Sequence, residues 1–337
     1  MKCLILGGGG FLGSHLSEAL LAQGYAVRIF DRPNLLRFKS FHRNLAVEWV
    51  EGDFINREHV AHAVSGCDII YHLVSTTLPR SSNENPAYDV ETNVIGTLHL
   101  LEAAKKNRIR KIIFASSGGT VYGIPKEVPI KESHPTEPIC SYGIGKLAIE
   151  KYLSLFHLLH GIEYCVLRLA NPFGERQRIA AAQGAVAVFL DKALRNEGIE
   201  IWGDGSVIRD YFHVSDAVSA LTKTLTYEGS NRVFNIGSGV GQSLNEILDA
   251  IEILLGAAVK RSYLPARAFD VPVSVLDISK AAELLNWKPQ VPFAEGLSRT
   301  AKWLKNSGAF FPRYEPWDSY SQNRAQNGYS NSDFLNG

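Results

Sequence analysis

Through residue 170 the chain alternates short apolar runs with longer amphipathic stretches. The runs Cys3–Leu6, Ala26–Phe30, Val47–Glu51, Ile69–Leu73, Lys111–Ala115 and Tyr164–Leu169 are short and largely apolar, which predicts strands. Between them Gly13–Gln23, Arg57–Val64, Asn93–Lys106 and Tyr142–His160 carry apolar positions at helical spacing. Strands alternating with helices imply βαβ units and a parallel sheet covered on both faces, so the expected fold is α/β, a Rossmann-type doubly wound sheet over residues 1–170. From residue 171 the pattern breaks into shorter mixed segments, with helices expected at Gly184–Asn196, Asp216–Tyr227, Ser243–Leu255 and Ser279–Asn286. This predicts a smaller α/β substrate-binding domain over 171–311, from which Val233–Ile236 is a candidate to rejoin the first sheet. Residues 312–337 are rich in Asn, Ser, Gln and Tyr and poor in aliphatics, the composition of a disordered tail.

Composition narrows the function classes. The 337 residues are 45% hydrophobic and 20% charged, with Lys+Arg 35 against Asp+Glu 34 and a net charge of +1. That balance offers no chain-wide grip on nucleic acid, which requires concentrated Lys and Arg. Cys3, Cys67, Cys140 and Cys165 are scattered without a Cys-x-x-Cys pair, and the histidines form no His-x-x-x-His cluster, so neither a disulfide scaffold nor a metal site is expected. The apolar run at the N-terminus is too short for a signal peptide, and no stretch approaches a membrane span, so a cytoplasmic protein is expected.

The first strand runs into a glycine cluster, with Gly7, Gly10 and Gly13 spaced G-x-x-G-x-x-G before an amphipathic helix. Glycines there let the backbone approach a pyrophosphate at a helix N-terminus. The next strand ends at Asp31, roughly twenty residues on, where a carboxylate accepts from an adenosine ribose hydroxyl and repels a 2′-phosphate. NAD is therefore expected, although Arg32 directly after it is a possible receiver for the phosphate of NADP. Asp53, after the third strand, reads equally as a contact to the adenine amino group or as a local helix cap.

Tyr142 and Lys146 form a Tyr-x-x-x-Lys pair, which a helix places on one face. An ammonium beside a phenol lowers its pKa and makes it a usable general base for an alcohol. The pair follows one strand–helix unit after Ser116-Ser117-Gly118-Gly119-Thr120, hydroxyls placed just beyond the carboxyl end of a parallel strand, where open α/β sheets bind ligands.

With these motifs together, the chain resembles the extended short-chain dehydrogenase/reductase superfamily, in its branch of nucleotide-sugar epimerases and dehydratases. Further motifs in family order are Tyr71-His72-Leu73, Asn93-Val94-Ile95-Gly96-Thr97, Val121-Tyr122-Gly123, Asn171-Pro172-Phe173-Gly174, Arg209-Asp210-Tyr211, Phe234-Asn235-Ile236-Gly237 and Trp287-Lys288-Pro289. The resemblance implies an NAD-dependent 4-epimerase of a UDP-hexose or UDP-N-acetylhexosamine. Tyr142 would take the proton of the sugar 4-OH as hydride passes from C4 to NAD, the 4-keto sugar would turn, and hydride would return to its other face. Lys146 would tune Tyr142. The resemblance also implies cofactor contacts from Gly7, Gly10, Phe11, Leu12, Gly13, Asp31, Arg32, Asp53, Phe54, Leu73, Asn93, Ser116, Tyr142 and Lys146.

One departure stands out. Many 4-epimerases carry serine where this chain has Gly118, so the bridging hydroxyl must come from elsewhere, and Ser117 is the choice over Ser116 and Thr120. On the substrate side the resemblance implies that Asn171, Arg209 and Arg267 meet the diphosphate and Asp270 the nucleotide ribose. Ser274 stands where epimerases restricted to plain hexoses carry a bulky tyrosine, which by sterics leaves room for a 2-N-acetyl group. A homodimer joined through the helices of Asn93–Lys106 and Tyr142–His160 is implied as well. Two other readings remain: a reductase or dehydrogenase of another nucleotide sugar, and a non-catalytic NAD-binding sensor.

Overall fold

A computed structural model describes residues 1–33, 47–177, 179, 184–266 and 271–307. The strands in chain order are β1 Lys2–Leu6, β2 Ala26–Asp31, β3 Val47–Glu51, β4 Ile69–His72, β5 Lys111–Ser117, β6 Glu163–Leu169, β7 Asn171–Phe173, β8 Ile199–Trp202, β9 Ile208–His213, β10 Val233–Ile236, β11 Gly241–Ser243, β12 Arg261–Leu264 and β13 Val273–Ser274. The helices are α1 Phe11–Ala22, α2 Arg57–Val64, α3 Pro79–Glu84, α4 Pro86–Asp89, α5 Gly96–Lys106, α6 Ser141–His160, α7 Ala185–Leu194, α8 Val214–Lys223, α9 Leu244–Leu255, α10 Ser279–Leu284 and α11 Phe293–Ser307, with a π-helical turn at Val90–Ile95 between α4 and α5.

Seven strands form one parallel sheet in the order β10-β6-β5-β4-β1-β2-β3. Successive side chains point to opposite faces, and both faces are buried. Cys3 and Ile5 of β1 enter a core with Val27, Ile29, Tyr71, Ile113 and Leu167 under α1 and α8. Leu4 and Leu6 enter the other, with Ile70, Ile112, Phe114 and Val166 under α2, α5 and α6. Strand order reverses between β1 and β4, so the loops after these two strands open a crevice where doubly wound sheets take their ligands. Val233–Ile236 pairs in parallel with β6 and closes one edge of the sheet.

In the second half β9 is the organiser: β7, β11 and β13 pair with it, while β8 and β12 make a separate two-stranded ladder. Helices α7, α9 and α11 pack around a third core that includes Phe173, Leu190, Ile201, Ile247 and Leu297. Two expected helices differ at an end by more than two residues. The helix expected over Asp216–Tyr227 starts at Val214, where His213 Nδ1 accepts from Ser215 N, and stops at Lys223. It stops because the buried Lys111 Nζ donates to the carbonyls of Thr224, Leu225 and Tyr227. The helix expected from Asn93 is already under way at Val90, widened into the π turn around Asn93. No helix of the described residues is long and apolar enough to cross a membrane.

Candidate active site

The glycine loop is a cradle made of backbone. Gly7 has φ +81°, the left-handed region that glycine adopts without strain. A Cβ on Gly13 would lie 2.2 Å from the Gly7 carbonyl oxygen and 2.6 Å from Gly8 Cα, so α1 starts against the loop at a separation only glycine permits. The N-cap is Gly10 and no side chain caps the helix, which leaves its first-turn N–H groups, at Phe11, Leu12 and Gly13, to an anionic ligand. Asp31, at the end of β2, is half-buried; its Oδ2 accepts from Gly9 N at 2.9 Å and its Oδ1 from Arg32 N at 2.9 Å. Across the crevice Leu73 N donates to Leu6 O.

Other expected cofactor residues already have partners within the protein. Asp53 Oδ1 accepts from Ile55 N at 3.1 Å in a local turn, but it does not cap α2, the alternative role expected for it; that cap is Asn56, whose side chain accepts from Glu58 N and His59 N. Phe54 is buried against His72, and its ring meets Gly96. Asn93 Oδ1 accepts from Thr76 N while Nδ2 donates to Asp89 Oδ1, tying the loop after β4 to the π turn. Ser116 Oγ donates to Glu150 Oε1 at 2.5 Å.

Tyr142 and Lys146 lie on the first turns of α6. Cys140, the N-cap, contributes no side-chain cap. The N–H groups of Ser141 and Tyr142 are instead met across space by Asn83 Oδ1 at 2.9 Å and Ser82 Oγ at 3.0 Å, both from α3. Lys146 Nζ sits 5.5 Å from the Tyr142 ring centroid and 4.8 Å from that of Phe114, and donates to Ala115 O at 3.1 Å. Burial pulls the lysine down to about 8, opposed by the carboxylates of Asp89 and Glu150. Burial pushes the Tyr142 phenol up to about 12, with a hydrogen bond to the Ser75 side chain acting the other way. Positive charge brought beside the phenol is what this site needs to make it a base.

A family model for the NAD dependent epimerase/dehydratase family matches residues 3–237. The chain belongs to that family. It is 35% identical over 310 residues to a UDP-glucose 4-epimerase of Mycolicibacterium smegmatis, covering 91% of this chain and 99% of the relative. Among solved structures it is similar to a Thermotoga maritima UDP-glucose 4-epimerase with UDP-glucose, at TM-score 0.86 and 36% identity over 91% of this chain and 99% of that one. It is also similar to a UDP-N-acetylglucosamine 4-epimerase of Methanobrevibacter ruminantium in complex with UDP-N-acetylmuramic acid, at TM-score 0.84 and 29% identity over 91% of this chain and 98% of that one. NAD, the cofactor of this epimerase family, suits the residues present: a backbone cradle that any Cβ at residue 13 would fill, uncapped amides for the pyrophosphate, and a carboxylate at the end of β2.

Where other epimerases of the family carry serine, Gly118 has a physical reason here. A Cβ on it would lie 2.5 Å from Leu276 Cδ1 and 3.1 Å from Arg168 O. The space beside it is taken by an apolar cluster of Val121, Tyr122, Ile130 and Leu276. Ser117 is half-buried at the end of β5, whereas Thr120 Oγ1 is buried without a partner.

Beneath α6, which carries Tyr142 and Lys146, runs a buried polar chain that sequence reasoning missed. Arg168 of β6 grips Glu150 of α6 twice, Nε to Oε1 at 3.1 Å and Nη2 to Oε2 at 2.7 Å. Its Nη1 donates to Tyr122 Oη at 2.9 Å, which donates to Asn235 Oδ1 at 2.7 Å. The only signal was a set of separate motifs, with nothing to say that they touch.

On the substrate side Asn171 Nδ2 donates to Asp210 O at 3.1 Å. Arg209 Nη1 donates to the carbonyls of Ile208 and Val271, and Ser274, buried, stands opposite Arg209 in the β9–β13 register. Arg267 and Asp270 lie outside the described residues, as does the tail expected over 312–337. A cavity of about 970 Å³ opens beside β8, β12 and β13, walled by Trp202, Gly203, Tyr263, Leu264, Ala266 and Pro272. Trp202 and Tyr263 are both exposed. Tyr142, Lys146 and Ser117 do not line this cavity.

Proposed function

We propose that this chain is an NAD-dependent 4-epimerase of a UDP-hexose or UDP-N-acetylhexosamine, acting on UDP-glucose/UDP-galactose, UDP-GlcNAc/UDP-GalNAc or both. The observation that carries the reading is the Tyr142–Lys146 pair on α6, packed beside the carboxyl ends of β4 and β5 in a chain whose glycine loop is shaped for a dinucleotide. When bound, NAD supplies the acceptor and donor of hydride. Tyr142 takes the proton from the sugar 4-OH and gives it back after the 4-keto sugar has turned. Lys146 adds the positive charge that lowers the phenol and holds it in place from the Ala115 carbonyl. Ser117 supplies the second hydroxyl to the substrate. The glycine loop, Phe11 and Leu12 amides hold the pyrophosphate, Asp31 the adenosine ribose, and Asp53, Phe54, Leu73, Asn93 and Ser116 complete the cofactor's surroundings.

The second domain, residues 171–311, binds the nucleotide sugar. The exposed faces of Trp202 and Tyr263 suit a nucleobase, and Arg209, Arg267 and Asn171 suit its diphosphate. A homodimer is supported by α5 and α6 and their surroundings, which leave Ile95, Ile144, Leu155, Leu158 and Leu159 exposed, with Leu158 80% accessible. A reducing cytoplasmic setting suits the four free thiols.

The test is incubation of the purified protein, without added cofactor, with UDP-glucose and separately with UDP-GlcNAc, followed by proton NMR for the C4 epimer. Wild type is expected to form epimer, and Tyr142→Phe is expected to retain NAD and form none. Turnover that requires stoichiometric NAD(P)H would instead establish the reductase reading.

A further inference from the structure

Asp89 carries no expected role in the sequence, yet it is 2% exposed and sits at the end of α4, against the first turn of α6. Its Oδ1 accepts from Thr77 Oγ1 and from Asn93 Nδ2, the latter at 2.9 Å. Its Oδ2 accepts from Ser141 Oγ at 2.7 Å. A Cβ on Gly145 would lie 3.6 Å from that same Oδ2. The carboxylate thus rests on the ridge of Ser141 and Gly145, four residues apart, which adjoins the ridge of Tyr142 and Lys146. Three segments meet on this one group: the loop after β4, the π turn and the catalytic helix.

The charges around Lys146 make Asp89 distinctive. From its own helix the lysine meets Tyr142 and Glu150, but Glu150 is already neutralised by the double contact with Arg168. From β4 it meets His72, which burial keeps neutral, and from β5 the Phe114 ring and the Ala115 carbonyl. Tyr142 in turn meets Ser75, whose hydrogen bond lowers the phenol, and Cys140 and Asp89 itself, which push it up, so the carboxylate favours the charged lysine while directly opposing the phenolate. No lysine or arginine pairs with Asp89 among the described residues.

We infer that Asp89 is a positioning residue for the Tyr142–Lys146 pair, pinning the first turn of α6 and setting against the Ser141–Gly145 ridge a buried carboxylate with which no lysine or arginine pairs among the described residues. The inference rests on the proposed roles of that pair. Without the carboxylate, desolvation acts on Lys146 less opposed, so its ammonium is lost at lower pH and with it the charge that makes Tyr142 a base.

Asp89→Asn keeps the shape and the acceptor toward Thr77 and Asn93 while removing the charge. In the NAD-loaded protein its kcat is expected to fall about tenfold near pH 8.5 and by much less near pH 6.5, with KM for the UDP-sugar little changed. The alkaline limb of the kcat profile moves to lower pH. A second readout needs no turnover: in protein labelled with ¹³C-lysine, the Lys146 Cε resonance, assigned by its absence in Lys146→Met, titrates at lower pH in Asp89→Asn. Ser141→Ala keeps the charge and loses one pin, so it lowers kcat equally at all pH and leaves the lysine titration where it was. An Asp89→Asn protein with the wild-type profile and the wild-type lysine titration overturns the charge role, and an unaffected Ser141→Ala overturns the pinning role. If Asp89→Asn does not fold, Asp89→Glu takes its place: a longer carboxylate that preserves the titration but lowers kcat supports the inference, and one with wild-type kcat overturns it. Wild type that holds NAD yet epimerises no UDP-sugar counts against the proposed function alone, because the lysine titration still reports on Asp89.

Discussion

Arg168→Met tests the polar chain under α6. Arg168 and Glu150 have side chains only 6% and 5% exposed, and the guanidinium makes two hydrogen bonds to the carboxylate and one to Tyr122. Methionine fills much of the same volume but leaves the Glu150 charge buried with the Ser116 hydroxyl as its remaining partner. Breaking a buried pair in this way costs about 3–5 kcal/mol, because the surviving charge has no water and has lost its hydrogen-bonded counterion, with only the more distant Lys146 left to offset it. Removing both charges, in Glu150→Met with Arg168→Met, avoids that penalty and leaves only the hydroxyls of Ser116 and Tyr122 short of a partner, about 1–3 kcal/mol. Tyr122 keeps Asn235 in either case. The double variant is therefore expected to be more stable than Arg168→Met alone. Urea unfolding followed by circular dichroism, with tryptophan fluorescence, to which the buried Trp287 contributes, as a second probe, supplies the three free energies. A single variant within about 1 kcal/mol of wild type, or a double variant whose loss equals the sum of the two singles, refutes the reasoning.

Gly13→Ala forces a Cβ into the Gly7 carbonyl and Gly8 Cα, so the loop must open; the purified protein is expected to lose its bound NAD, read from the absorbance of the released nucleotide, while the sheet persists by circular dichroism. His72 is held neutral by burial, down to about 3 from 6.5. The unfolded chain therefore binds the extra proton first as pH falls below 6.5, and stability drops by about 1.4 kcal/mol per pH unit from this residue alone. His72→Leu removes that slope between pH 6 and pH 4, and an unchanged slope of urea stability would show that other groups set it. Ser274→Tyr is expected to reduce epimerisation of UDP-GlcNAc more than that of UDP-glucose; equal losses on both sugars would mean that residue 274 does not gate the C2 substituent.

What the sequence revealed and what it hid divide along local and non-local lines. The inner strands of the large sheet are runs whose side chains are buried on both faces, so each reads as apolar by itself, while the edge strand β3 exposes Glu48 and Glu51; the glycine loop, Asp31 and the Tyr142–Lys146 spacing are local patterns too. The supports of the catalytic pair are not. Ser82 and Asn83 cap α6 from α3, and Asp89 meets Ser141 from α4, across more than fifty positions. In the second half β7, β11 and β13 have three, three and two residues. No period can be read from so few, and their strand character comes from pairing with β9. The expected Asp216–Tyr227 helix ends early for the same kind of reason, since the lysine that takes its carbonyls lies on β5.

Gly118 shows how these long-range contacts bear on chemistry, and it allows a counter-intuitive expectation. If the missing serine were a simple loss, Gly118→Ser would improve the enzyme. The structure argues the reverse. The new Cβ would drive into Leu276 Cδ1, and Leu276 is 1% exposed in a closed apolar cluster. Leu276 cannot yield freely, because its N–H donates to Asp210 Oδ2, a carboxylate that also accepts from Ser238 and Gly239 and adjoins Arg209. Overpacking of this kind costs about 1–3 kcal/mol. It would also press on β13, where Ser274 lies two residues before Leu276, so the loss is expected in both stability and UDP-sugar KM. Leu276→Ala in the same chain opens the space and should recover part of the KM, leaving kcat at or below that of wild type if, as proposed, Ser117 supplies the hydroxyl. A Gly118→Ser protein with raised kcat and unaltered stability would show instead that the apolar cluster yields easily and that Ser117 is not the hydroxyl in use.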